Sequence, residues 1–157
     1  MSIRFGVSPI AWINDDMPEL GADTSLEQVL AESRDIGFAG IELGARFPRD
    51  AATLATLLAR FQLVLVAGWY SSSLLTRSAR EEIAALQAHL GLLKALGCTV
   101  FIIAETSNAI HGNRNRALSA SPRLDRAGWA RFGEKLTEVA DYLAAAGMRL
   151  VVGEQGR

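Results

Sequence analysis

The apolar run Val100-Phe101-Ile102-Ile103-Ala104 ends in Glu105 and is flanked on both sides by long helical patterns. A continuous apolar run of this length suits a strand buried on both faces, as a parallel sheet requires. Related patterns recur along the chain. Residues 3–7 alternate and predict a first strand, and 40–43, 63–67 and 148–152 predict others. Helical spacing fills the intervals. Ser25, with Gln28 in the capping-box position, opens a helix whose Leu26, Val29, Leu30, Ser33 and Ile36 share one face. A second helix is predicted over 51–60, capped by Asp50. Ser78 with Glu81 opens a third, whose buried face is Ile83, Leu86, Leu90, Leu93 and Leu96. A fourth is predicted over 126–146, with Trp129, Phe132, Leu136, Val139 and Leu143 inward. Gly37, Gly97 and Gly147 each close a helix just before a strand, as left-handed caps do.

Strand–helix alternation of this kind implies an α/β fold with a parallel sheet and right-handed crossovers. An open doubly wound sheet and a closed barrel both remain possible on that ground. The 157 residues would complete the first and not the second, since such barrels run to about 250 residues. The first strand–helix turn carries no glycine-rich phosphate cradle, which an open nucleotide-binding sheet usually has. Instead every strand end offers polar and aromatic groups: Trp12, Asn14, Asp15 and Asp16; Glu42 and Arg46; Trp69, Tyr70 and Ser71; Glu105, Asn108 and His111. Spreading candidate site residues over all strand ends is barrel behaviour.

Composition narrows the partners. Half the residues are hydrophobic and the formal net charge is -1, without a basic block. Nucleic acid and anionic membrane surfaces are therefore disfavoured partners. No apolar run reaches the ~18 residues of a membrane span, and Met1-Ser2-Ile3-Arg4, without a basic region leading into an apolar core, reads as no signal peptide. The single cysteine, Cys98, forms no internal disulfide and reads as a small buried side chain in a cytoplasmic protein.

Aromatic faces beside carboxylates, an amide and a hydroxyl suit a polyhydroxylated ring, whose apolar face stacks while its hydroxyls form hydrogen bonds. Each candidate has a bland reading too. Glu42 follows buried-type Ile41 and either serves a site or pairs with Arg46 or Arg4. Trp12, Trp69 and Tyr70 either stack on a ligand or pack in the core. Asn14 and Asp15 either bind or build a turn. Glu105 either does chemistry or caps a backbone amide. His111, on the long polar loop 106–124, is a site residue or a solvated one; His89 reads as structural.

A family resemblance joins these pieces. Pro9-Ile10-Ala11-Trp12 with Asn14-Asp15-Asp16, Pro18-Glu19-Leu20-Gly21, Gly37-Phe38-Ala39-Gly40-Ile41-Glu42-Leu43-Gly44 and Phe47-Pro48-Arg49-Asp50 follow in order. Gly68-Trp69-Tyr70-Ser71, Leu92-Leu93-Lys94-Ala95-Leu96-Gly97-Cys98 and Ala104-Glu105-Thr106 complete the set. The pattern resembles the inosose dehydratases of myo-inositol catabolism, within the xylose-isomerase-like TIM barrels, collinearly from about Gly6 to Val152.

The resemblance implies a single domain over 1–157, the N-terminal part of a TIM (β/α)8 barrel of about four and a half βα units. It implies a lyase that removes water from a keto-inositol (scyllo-inosose) to give a trihydroxycyclohexane dione, with manganese or cobalt and with glutathione. Glu42 and Glu105 would be its catalytic carboxylates. Trp12, Asn14, Asp15, Trp69, Tyr70 and His111 would contact the polyol ketone. Family members continue through a histidine-rich segment and further strands, and the superfamily's metal ligands stand at the later strand tips. Glu154 is the one candidate ligand at the fifth strand, although a chance match in the tail is the other reading. The chain alone is accordingly expected to be inactive, and to form a homo-oligomer or bind a complementary barrel fragment. A divalent-metal sugar isomerase or epimerase on the same scaffold, or a non-catalytic half-barrel, is the alternative.

Overall fold

The computed structural model describes residues 3–110, 113 and 115–153. The chain packs as two compact units, Met1–Trp69 with Gly91–Thr99 and Tyr70–Leu90 with Val100–Arg157. The elements follow in the order β1 (Gly6–Val7), a 3-10 turn (Pro9–Ala11), α1 (Leu26–Ile36), β2 (Gly40–Leu43), α2 (Ala51–Arg60) and β3 (Val64–Ser72). Then come α3 (Ala79–Ala85), α4 (Gln87–Ala95), β4 (Val100–Glu105), a 3-10 turn (Leu118–Ala120), α5 (Arg126–Ala145) and β5 (Arg149–Val152).

In the first unit β1, β2 and the start of β3 form a parallel ladder. Ile41, Leu43, Leu65 and Ala67 are buried, as are Val29 and Leu30 of α1 and Leu54 and Leu58 of α2. The caps act as their chemistry dictates. Ser25 Oγ accepts from Gln28 N at 3.1 Å, and Asp50 Oδ1 accepts from Thr53 N at 2.8 Å. Gln28 does not complete the box; its amide donates to Glu32 one turn on, at 2.8 Å. Cys98 is buried, as expected, and its thiol donates to Leu65 O at 3.2 Å.

In the second unit β4 and β5 pair in parallel, Phe101 opposite Leu150 and Ile103 opposite Val152. Phe101 is fully buried, and its ring centroid lies 5.2 Å from that of His89 and 5.6 Å from that of Tyr70. Ser78 and Glu81 form the complete capping box ahead of α3.

Four expectations need correction. The first strand is only Gly6–Val7, because Ile3 and Phe5, at 81% and 67% exposure, find no apolar cover. Phe5 still accepts from Ala39 N at 2.8 Å, but the ladder stops there. The third strand runs on to Ser72, so Gly68, Trp69, Tyr70 and Ser71 are strand residues. The third helix is two, broken at Leu86, where Gln87 Nε2 takes the carbonyl of Ile83 at 2.6 Å that the next backbone N–H would otherwise use. On α5, Val139 and Leu143 are buried, but Trp129 is 60% exposed. It leans edge-on against Phe132, at 6.0 Å between centroids, at the solvent end of the stripe. The other expected elements stand close to where the pattern put them.

Candidate active site

Placement of the first unit's candidates begins with an irregularity between β2 and β3. Ile41 lies opposite Leu65 but Glu42 opposite Ala67, so Val66 is a bulged residue. Gly40 makes room for it: a Cβ there would stand 2.4 Å from Val66 Cγ1 and 2.8 Å from Val64 O. The bulge leaves Glu42 between buried Ile41 and Leu43, half-exposed on the other face of β2. Arg46 is not its partner. That guanidinium instead gathers the carbonyls of Gly21, Ala22 and Thr24 at 3.0–3.4 Å. Among the described residues the Glu42 carboxylate has no hydrogen bond or ion pair.

The other candidates of this unit are tied into loops. Trp12 donates from Nε1 to Glu32 Oε2 at 2.6 Å. The Gln28 amide, then Trp12, hold the Glu32 carboxyl below its usual range. Asn14 Oδ1 accepts from Asp16 N and Met17 N at 3.0 and 2.9 Å, an Asx turn. Asp15 Oδ2 accepts from Ala45 N at 3.0 Å and so fastens the first strand–helix loop to the second. Gly21 closes that loop at φ +78°, where a Cβ would fall 1.7 Å from Trp12 O. Trp69, at 37% exposure, ends this unit's part of β3.

In the second unit the Tyr70 hydroxyl donates to Glu82 Oε1 at 2.7 Å, and its ring meets those of His89 and Phe101. Glu82 is fully buried, also accepts from Ser73 N at 3.0 Å, and lies 3.7 Å from Arg77. Glu105 ends β4 with both oxygens engaged. Oε2 accepts from Ser72 Oγ at 3.1 Å and Leu75 N at 3.3 Å. Oε1 accepts from Ser107 N at 2.8 Å and from the Ser107 hydroxyl. Sequence reasoning passed over Glu82 and Lys135. The signal was available: each charged residue stands on its helix's apolar stripe, Glu82 one turn before Leu86 and Lys135 one turn before Val139. His111 and Glu154 lie outside the described residues.

Burial raises the Tyr70 hydroxyl above its usual range, helped by Glu82, and pushes the Cys98 thiol up to about 11. Both groups hold their protons more tightly folded than unfolded. Their contribution to stability is therefore complete below the unfolded values, about 8.5 for Cys and 10 for Tyr, and is lost as pH rises through the folded ones. Urea midpoints are expected to fall as pH is raised past about 9, and Tyr70→Phe with Cys98→Ala should flatten that fall.

Among the described residues no three His, Cys, Asp or Glu side chains come together to hold a metal ion. The described residues by themselves do not make up a metal site. A surface groove of about 570 Å³ between α1 and α2, lined by Glu27, Ala52, Thr53, Thr56 and Arg60, takes no residue from a strand and is a separate feature. No helix among the described residues is long and apolar enough to cross a membrane.

Parallel strands joined by helices, with polar groups at the strand ends, define the class, and comparison makes it definite. The profile of the family described as xylose isomerase-like TIM barrel matches residues 30–152, and the chain belongs to that family. Among curated proteins it is 42% identical over 96% of its length to the rhizopine catabolism protein MocC of Rhizobium meliloti. It is 33% identical, again over 96%, to the inosose dehydratase of Lacticaseibacillus casei. The chain spans about half the length of these relatives, 46% and 51%. Among solved structures, a D-psicose 3-epimerase matches 99% of this chain and 53% of its own, at TM-score 0.64 and 18% identity. A xylose isomerase-like barrel from Mycobacterium smegmatis, solved with magnesium, matches 95% of this chain and 54% of its own at the same TM-score and 17% identity. The fold is thus the parallel α/β arrangement of a TIM barrel, represented over about half of those chains.

Proposed function

We propose that this chain carries part of a lyase that dehydrates a keto-inositol of the scyllo-inosose type to a trihydroxycyclohexane dione. The observation that carries the reading is 31–33% identity to proteins named inosose dehydratase, sustained over 95–96% of the chain. The reaction breaks a C–H bond α to the carbonyl and a C–O bond β to it, and water leaves as the double bond forms. It needs a base, a means of stabilising the enolate and an acid for the departing hydroxyl. Glu42 is the proposed base. Near the end of a barrel strand, and with no hydrogen bond or ion pair among the described residues, this carboxylate has lone pairs available for a proton. Manganese or cobalt, and glutathione, accompany the reading through the resemblance alone. A cytoplasmic setting suits the single buried thiol. Val64 and Val66, exposed on β3, fit a second copy or a further barrel segment as the cover of that strand face.

The test is product analysis. The purified chain, alone and within any longer form of the protein, is incubated with scyllo-inosose and manganese. A product lighter by one water supports the lyase. A product of unchanged mass favours the isomerase or epimerase alternative. No turnover in either form removes the reading. The higher identity to a rhizopine catabolism protein favours one variant, in which the same chemistry acts on a related compound of that catabolism. Offering such compounds beside the ketone separates the two.

A further inference from the structure

The loop between β3 and α3 is held by charged side chains from three elements. Glu82 of α3 accepts from Ser73 N at 3.0 Å, and Glu105 of β4 accepts from Leu75 N at 3.3 Å and Ser72 Oγ at 3.1 Å. Lys135 of α5 donates to Leu74 O at 2.7 Å and Arg77 O at 2.8 Å. The signs are complementary: anions take N–H groups, and the cation takes carbonyls. Between them Leu74 is fully buried, and Ser73 O accepts from Thr76 N and Arg77 N at 3.0 and 2.8 Å. Surface loops usually leave such groups to water. Glu82 is fully buried, and a buried carboxylate is costly unless its partners are in place, so opening the loop loses the Ser73 bond and strands the charge.

We propose that Glu82, Glu105 and Lys135 form a clamp that presets the Ser72–Arg77 loop as a rigid wall at the end of β3, and that Glu105 is a positioning residue. This rests on the lyase reading for its purpose: a wall set in advance spares the substrate the cost of ordering it. Both Glu105 oxygens are already engaged, Oε2 by the loop and Oε1 by Ser107.

Amide hydrogen exchange on the unliganded chain tests the clamp. Ser73 and Leu75 amides are expected to exchange about 100-fold or more slowly than open-loop amides. Glu105→Ala should speed Leu75 and Ser107 about 10-fold or more and leave Ser73 protected by Glu82. Lys135→Met should speed the loop amides by a similar factor, and Lys135→Arg should restore them. Gly153 N–H, bonded to Ile103 O at 2.8 Å, serves as the control and should not change. Open-loop rates in the parent chain, unchanged exchange in either variant, or an equal rise at Gly153 would each overturn the clamp. In a form that turns the ketone over, Glu105→Gln should hold kcat within about 10-fold, where a reacting carboxylate would lose about 10²–10⁴-fold. Exchange is read without substrate, so a failed clamp leaves the lyase reading intact. The absence of turnover leaves the exchange result intact.

Discussion

Glu42→Gln is expected to lower dehydration by about 10²–10⁴-fold in any form of this protein that turns the ketone over. The amide keeps the size and one oxygen of the carboxylate, turns the other into an NH2 donor and accepts no proton at neutral pH, so the loss should fall on kcat. Stability should hardly move. Glu42 is half-exposed with no bond to lose among the described residues, and such substitutions usually stay within about 0.5 kcal/mol. The measurement pairs steady-state rates with a urea midpoint. A full rate with an unchanged midpoint would remove Glu42 from the chemistry. A collapsed midpoint would mean that the carboxylate supports the fold instead.

Phe101→Ala should cost about 3–5 kcal/mol of stability, the largest expected effect on folding. The ring is fully buried, meets His89 nearly perpendicularly at 81° and tilts 55° to Tyr70. Its removal leaves a cavity and forfeits both ring contacts, each worth about 0.5–1.5 kcal/mol beyond area. It also loosens Tyr70, whose hydroxyl satisfies buried Glu82. Trp129→Ala gives the contrast. That ring is larger but 60% exposed, so its loss should cost under about 1 kcal/mol. Urea unfolding of the two variants compares them directly. Similar losses would show that burial does not rank these positions.

Much of the fold was legible because its signals act over a few residues. Ser25, Asp50 and Ser78 accept from the third residue of their own helices, and Gly37, Gly97 and Gly147 adopt φ of 101°, 76° and 83° to end them. Helical and strand periods were equally local, and β2, α2 and β4 fall on their expected residues. The family resemblance added the barrel class, since collinear short motifs encode a fold that no one motif specifies.

What the sequence could not determine is which polar group meets which. Trp12 finds Glu32, Asp15 finds Ala45 and Glu105 finds Leu75 at sequence separations of 20 to 30. Arg46 was the obvious neighbour for Glu42 in sequence, yet it serves the carbonyls around Gly21. The bulge at Val66, the run of β3 to Ser72 and the burial of Glu82 belong to the same class of outcome. Each depends on the register of packed strands and on the satisfaction of buried polar groups, and both are fixed only when distant segments meet. Sequence alone determined the cadence of strands, helices and caps, and the family. Tertiary structure decided that the Glu105 carboxylate is bonded to Ser72, Leu75 and Ser107, while Glu42 has no such bond among the described residues, because these partners meet only when the strands pack.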